Sequence, residues 1–157
     1  MTTALIAARE GRTSEVATHL AEARSLAVHT GERNHMYGHF GPTNVVAWEL
    51  GLAVEARTGP DVAERITAAP IDLSVFNSKG RTAYVHFDLA RAWAQAEGSR
   101  DQEAVRALDN ADRLAPFQLR NDPIALDLVR TLDRRATLRT WELDSLCNRF
   151  GIRSTKA

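Results

Sequence analysis

Arg81, Tyr84 and Asp88 stand three and four residues apart, so on a helix they share one face. A guanidinium, a phenol ring and a carboxylate there offer donors, a flat apolar plate and an acceptor, a set that suits an extended peptide or a small polar ligand. The same three residues also read as a surface ion pair beside a half-buried tyrosine. Aligning Leu52 with Leu89 sets Asn44 against Arg81, and Asn44 and Trp48 lie one turn apart on an earlier helix. His35 and His39 have the i, i+4 spacing of a metal-ligand pair. Gly31, Gly38 and Gly41 make that stretch a loop, however, so neither a metal nor any other cofactor is expected. Cys147 has no histidine nearby in sequence to activate it and reads as a buried, inert thiol. Paired carboxylates, a phosphate-cradling loop, a dinucleotide fingerprint and a nucleophile elbow are all missing, so the chain is not read as an enzyme.

The elements that must carry these groups are helical. Apolar residues recur at i, i+3, i+4 and i+7 with no sustained alternation, and 18 of the 20 Lys+Arg are arginine, a good helix former. Glycine and proline punctuate the pattern. Helices are expected over 3–9, 13–29 and from Pro42 to Gly59, then a short one from Pro60 to Pro70. After a connector over 71–78, further helices are expected over 79–97, 101–115 and 123–135, and a last one capped by Thr140 and ending at Gly151. Phe40 is expected to staple the chain entering the Pro42 helix, and Trp48, Trp93 and Trp141 to act as core wedges. At 157 residues the chain is one domain's worth and needs no disulfide to hold a core. Its formal net charge of zero argues against the broad basic field of a nucleic-acid or membrane-surface protein. The first 78 residues hold 6 cations and 9 anions and the rest 14 and 11. The mildly basic last stretch reads as a solvated helical face or, alternatively, a phosphate-binding surface.

Small residues at fixed places in paired helices signal an internal repeat. Gly98, Ala104, Leu108, Ala111 and Pro116 fit the tetratricopeptide pattern, Gly59, Ile66 and Pro70 form a shorter copy, and Ala4, Gly11, Val16, Leu20 and Ala23 a third that begins halfway along its first helix. The fold class expected is all-α, a tetratricopeptide-like helical-hairpin solenoid of about seven to eight helices forming a single domain over 1–157. A half-unit leaves apolar surface open, so an upstream segment or a dimer is expected to cover it.

The phrases His39-Phe40-Gly41-Pro42-Thr43-Asn44-Val45-Val46, Phe87-Asp88-Leu89-Ala90-Arg91-Ala92-Trp93, Ala111-Asp112-Arg113-Leu114-Ala115-Pro116 and Leu146-Cys147-Asn148-Arg149-Phe150-Gly151-Ile152 resemble the C-terminal tetratricopeptide region of actinobacterial helix-turn-helix transcriptional regulators of the XRE (Cro/repressor-like) family. That resemblance implies a non-catalytic, cytoplasmic sensing and oligomerisation domain. It binds a small molecule or peptide in a concave groove, forms a homodimer, and meets DNA only through a separate N-terminal domain. Leu143–Ile152 looks like the first half of a helix-turn-helix, but five residues cannot supply a recognition helix. The ligand residues expected from the spacing above are Asn44, Trp48, Arg81, Tyr84 and Asp88. The alternative is a stand-alone scaffold that holds a partner protein's segment. Neither reading involves a membrane.

Overall fold

A computed structural model describes residues 2–33 and 39–153. Among them are nine α-helices: α1 (Thr2–Arg9), α2 (Thr13–Thr30), α3 (Pro42–Glu55), α4 (Gly59–Ala68), α5 (Lys79–Ala94), α6 (Asp101–Leu114), α7 (Pro116–Arg120), α8 (Pro123–Arg135) and α9 (Trp141–Arg149). A 3-10 turn, Leu73–Phe76, lies in the connector before α5. The chain is all-helical, as the periodicity predicts. It divides into two compact units, Met1–Ser78 and Lys79–Ala157.

In the first unit α1 pairs with α2, and α3 packs against both of them and against α4. Gly11, at φ +72°, turns the chain after α1 while the Arg12 N–H donates to the Ala7 carbonyl at 2.8 Å. That bond satisfies a helix-end carbonyl in a conformation that glycine adopts at no steric cost. The core is built on Ala4, Ala8, Leu20, Ala23, Ala27, Val45 and Leu52. Alanine at four of these positions lets helix axes approach toward the short end of the usual 8–10 Å spacing.

The entry to α3 is held from a distance. Its capping residue, Gly41, has no side chain to offer, and the carboxylate of Glu32 takes that role by accepting the Thr43 N–H at 2.7 Å. A Cβ on Gly41 would stand 2.8 Å from the Glu32 Cα, so glycine is required here for close approach. Arg33 and Phe40 pair as an isolated antiparallel bridge that closes the loop. Phe40 itself is 38% exposed, and the Glu32 carboxylate supplies the cap that Gly41 cannot. Helix α3 also stops earlier than Gly59: Arg57 takes the left-handed turn at φ 64°, and Gly59 is buried in the first turn of α4.

In the second unit α5 and α6 form the most extensive helix pair, and α8 packs against both. Ala83, Phe87, Ala90 and Ala94 give α5 a buried stripe, and Ala104, Leu108 and Ala111 give α6 another. Helix α5 ends at Ala94, not Glu97, because its last turn tightens to i→i+3 bonds, Gln95 N–H to Ala92 and Ala96 N–H to Trp93. Pro116, expected only to end α6, also opens the five-residue α7 as its first residue. That is the helix the sequence count lacks. Asp122 caps α8, accepting the N–H groups of Ile124 at 2.7 Å and Ala125 at 3.3 Å. Trp141 is not a core wedge: it is 74% exposed at the first position of α9, next to the exposed Leu138.

Ion pairs tie α6, α7 and α9 together. Asp112 is wholly buried and receives two hydrogen bonds from Arg120, at 2.7 and 2.9 Å, while Arg149 approaches at 3.1 Å. Arg149 also pairs with Asp109, which Arg113 holds at 2.6 Å.

Candidate ligand-binding site

Helix α5 is sixteen residues long, and between its alanine stripe and the buried Val85 and Ala92 it leaves a strip for polar groups. Arg81, Tyr84, Asp88 and Arg91 recur at i, i+3, i+7 and i+10, within an arc of about 80° at 100° per residue. The side chains differ in setting. Tyr84 is 43% exposed and presents its ring to solvent. Arg81 is half-buried, and that burial lowers the pKa of its guanidinium while the negative charge of Asp88 opposes the shift. Asp88 accepts a hydrogen bond from Arg91 at 3.2 Å, and the Arg91 guanidinium lies 5.8 Å from the Phe87 ring centroid. The sequence-predicted trio therefore occupies one face with a fourth member, Arg91, that the spacing also contained.

The face is a charge-balanced strip: two guanidiniums, one carboxylate between them, one exposed aromatic ring. Partly desolvated ion pairs of this kind are oriented by their neighbours and strengthen hydrogen bonds to an arriving polar group. His86, another half-buried ionisable residue of α5, has its pKa lowered by burial.

Asn44 and Trp48 belong to α3 in the first unit, and Arg81, Tyr84 and Asp88 to α5 in the second. Asn44 is only 5% exposed and is part of the interior of its unit, whereas Trp48 is half-buried. The first unit has a recess of its own, about 210 Å³ and mainly apolar, between α2, α3 and α4; Val16, Leu20, Leu52, Ala53 and Val62 line it. Glu49 stands at this recess with Arg24 at 2.6 Å and Arg65 at 2.8 Å. Burial pushes the Glu49 carboxyl upward, but the two arginines outweigh it and hold it below the usual glutamate value. No sequence pattern marked this recess, because its lining residues look like ordinary core.

The remaining candidates are settled less by spacing than by surroundings. His35 lies outside the described residues, and His39 packs edge-on against Phe76 with ring centroids 5.7 Å apart. Among the described residues no group of three or more His, Cys, Asp or Glu could hold a metal ion. Cys147 is fully buried, and burial raises its thiol pKa. No described helix is long and apolar enough to cross a membrane. No family model, no curated protein and no solved structure matches this chain.

Proposed function

We propose that this chain is a non-catalytic, helical-hairpin sensing and interaction domain of tetratricopeptide type. It takes a small polar molecule or an extended peptide on the polar face of α5, and it works as the effector-sensing and oligomerisation region of a bacterial transcriptional regulator of the XRE kind. The observation that carries the reading is the strip Arg81, Tyr84, Asp88 and Arg91: half-buried opposite charges beside an exposed aromatic ring, on a helix that otherwise packs against α6 and α8. Paired helices seamed by Ala83, Ala90, Ala104 and Ala111, all fully buried, support the repeat reading, as do the left-handed turns at Gly11 and Gly98. Asn44 and Trp48, on α3 of the other unit, are not counted in this site, and Asn44 is buried in the interior of its own unit.

Binding alters the domain only insofar as the ligand prefers one of its shapes. Self-association belongs to the same reading, and Ile6 and Leu26, both about half exposed on the first hairpin, supply apolar surface for it.

The test is a thermal-shift screen of a metabolite panel and an extended-peptide library against the wild type, Arg81→Ala and Asp88→Ala. The reading expects hits that lose at least tenfold in affinity in both variants; hits unaffected by either substitution refute the site. Competition separates this reading from a stand-alone scaffold, which loses its partner protein to a short peptide cut from that partner but ignores every metabolite.

A further inference from the structure

The recess of about 210 Å³ in the first unit joins an apolar lining to a charged end. Three helices meet there, with α3 packed against both α2 and α4. Val16 and Leu20 of α2, Leu52 of α3 and Val62 of α4 supply apolar walls. Space remains between them because Ala17, Ala53 and Ala56 fall where longer side chains would fill the junction. Water against such a lining finds few hydrogen-bond partners, so an apolar group that displaces it gains free energy.

Charge enters the recess from one direction. Arg24 lies one turn beyond Leu20 on α2, Arg65 three residues beyond Val62 on α4, and Glu49 three residues before Leu52 on α3. Ion pairing brings the three together, Arg24 at 2.6 Å and Arg65 at 2.8 Å from the Glu49 carboxylate. Among the described residues that line the recess, Glu49 alone is charged. Burial raises its carboxyl pKa, but the two arginines outweigh that and keep it ionised at pH 7. The cluster therefore holds two positive charges and one negative. A guanidinium carries five N–H donors, so one carboxylate shared between two of them leaves donors to spare. The arginine side chains are 49% and 62% exposed, and an arriving anion reaches them without opening the core.

An excess of one positive charge beside an apolar recess favours a monoanion with an apolar body, and guanidinium forks match a carboxylate. Size narrows the body. An apolar cavity of about 150 Å³ holds one benzene ring, so this recess has room for a ring with a short chain. We propose that it binds a small aromatic carboxylate of the arylalkanoate class, with the ring among α2, α3 and α4 and the carboxylate on Arg24 and Arg65. The site lies wholly within the first unit and rests on none of the α5 residues.

The test is a titration of the full chain, labelled with nitrogen-15, with 3-phenylpropionate, followed by two-dimensional amide NMR. The expected result is saturable binding with a Kd of about 1 mM or below, and the largest shifts at Leu20, Leu52 and Ala53. Three substitutions separate the parts of the site, and the amide spectrum of each free variant reports its fold. Ala17→Leu fills the recess from an exposed position and should weaken binding by about tenfold or more. Arg65→Gln should weaken it by about fivefold while Arg24 still holds Glu49. Glu49→Gln removes the competing carboxylate and should tighten binding by about threefold, a direction that mere loss of structure does not produce. The proposal is overturned by the absence of saturation at about 10 mM, by shifts centred on α5 instead, or by Ala17→Leu or Arg65→Gln binding as the wild type does. Weaker binding by Glu49→Gln also overturns it. So does neutral 3-phenylpropanamide binding as tightly as the acid, which would mark the recess as a groove for an uncharged apolar side chain.

Discussion

Asp112→Ala should destabilise the second unit by about 2–3 kcal/mol. Asp112 is wholly buried and accepts two hydrogen bonds from Arg120, with Arg149 at 3.1 Å. Charge-assisted hydrogen bonds are each worth about 1.5–3 kcal/mol, and breaking a fully buried pair costs about 3–5 kcal/mol. Both figures must be reduced here. The Arg120 side chain is 39% exposed and recovers water when released, and Arg149, 23% exposed, keeps Asp109. With a urea slope of about 1.5 kcal/mol/M, the midpoint followed by far-UV circular dichroism should fall by about 1.5 M. Asp112→Leu/Arg120→Met removes both charges of the closest pair and should recover most of the loss, since a well-packed apolar pair replaces an ionic one at little cost. A fall below about 0.5 M in Asp112→Ala, at unchanged slope, would refute the claim that this carboxylate locks α6 to α7 and α9.

Other expectations can be checked on the same material. Gly41→Ala should lower the melting temperature of the first unit, costing about 1–3 kcal/mol by overpacking against Glu32, while Glu32→Ala, which loses the remote cap of α3, should cost about 1 kcal/mol. Glu49 has its folded pKa held below the ordinary value of 4.5, so its contribution is complete above that pH and is lost as the pH falls through the folded value. Acid titration of stability should therefore show a step below about pH 4.5 that Arg24→Gln/Arg65→Gln removes. Cys147, buried and with a raised thiol pKa, should react with a water-soluble disulfide reagent only after denaturant is added; fast modification at pH 8 would contradict its placement.

Much of the fold follows from local rules. Pro42, Pro60 and Pro123 each fall in the first turn of a helix, and Gly11, Gly31 and Gly151 each follow one at positive φ, because only those residues fit those positions cheaply. What the sequence did not reveal depends on distance along the chain. Glu32 caps a helix through a residue 11 positions away, and Arg149 finds Asp109 40 positions away. No window of periodicity contains such a pair. Helix α7 was missed because Pro116 ends one helix and starts the next, two roles that leave the same mark. The α5 face was readable from the spacing of Arg81, Tyr84 and Asp88, yet Arg91 one turn on completes it and holds Asp88.

The central claim is that the polar face of α5 receives a ligand, and a photo-crosslink tests it most directly. Benzoylphenylalanine would replace Tyr84, the exposed member of the strip, and in a control would replace Arg106 on α6. Each protein would be irradiated with the same defined library of extended peptides and metabolites, and adducts would be read by mass spectrometry. The account predicts a discrete adduct at position 84 that Asp88→Ala abolishes, and none at position 106. Equal labelling at the two positions, or no adduct at position 84 with any member of the library, would contradict it.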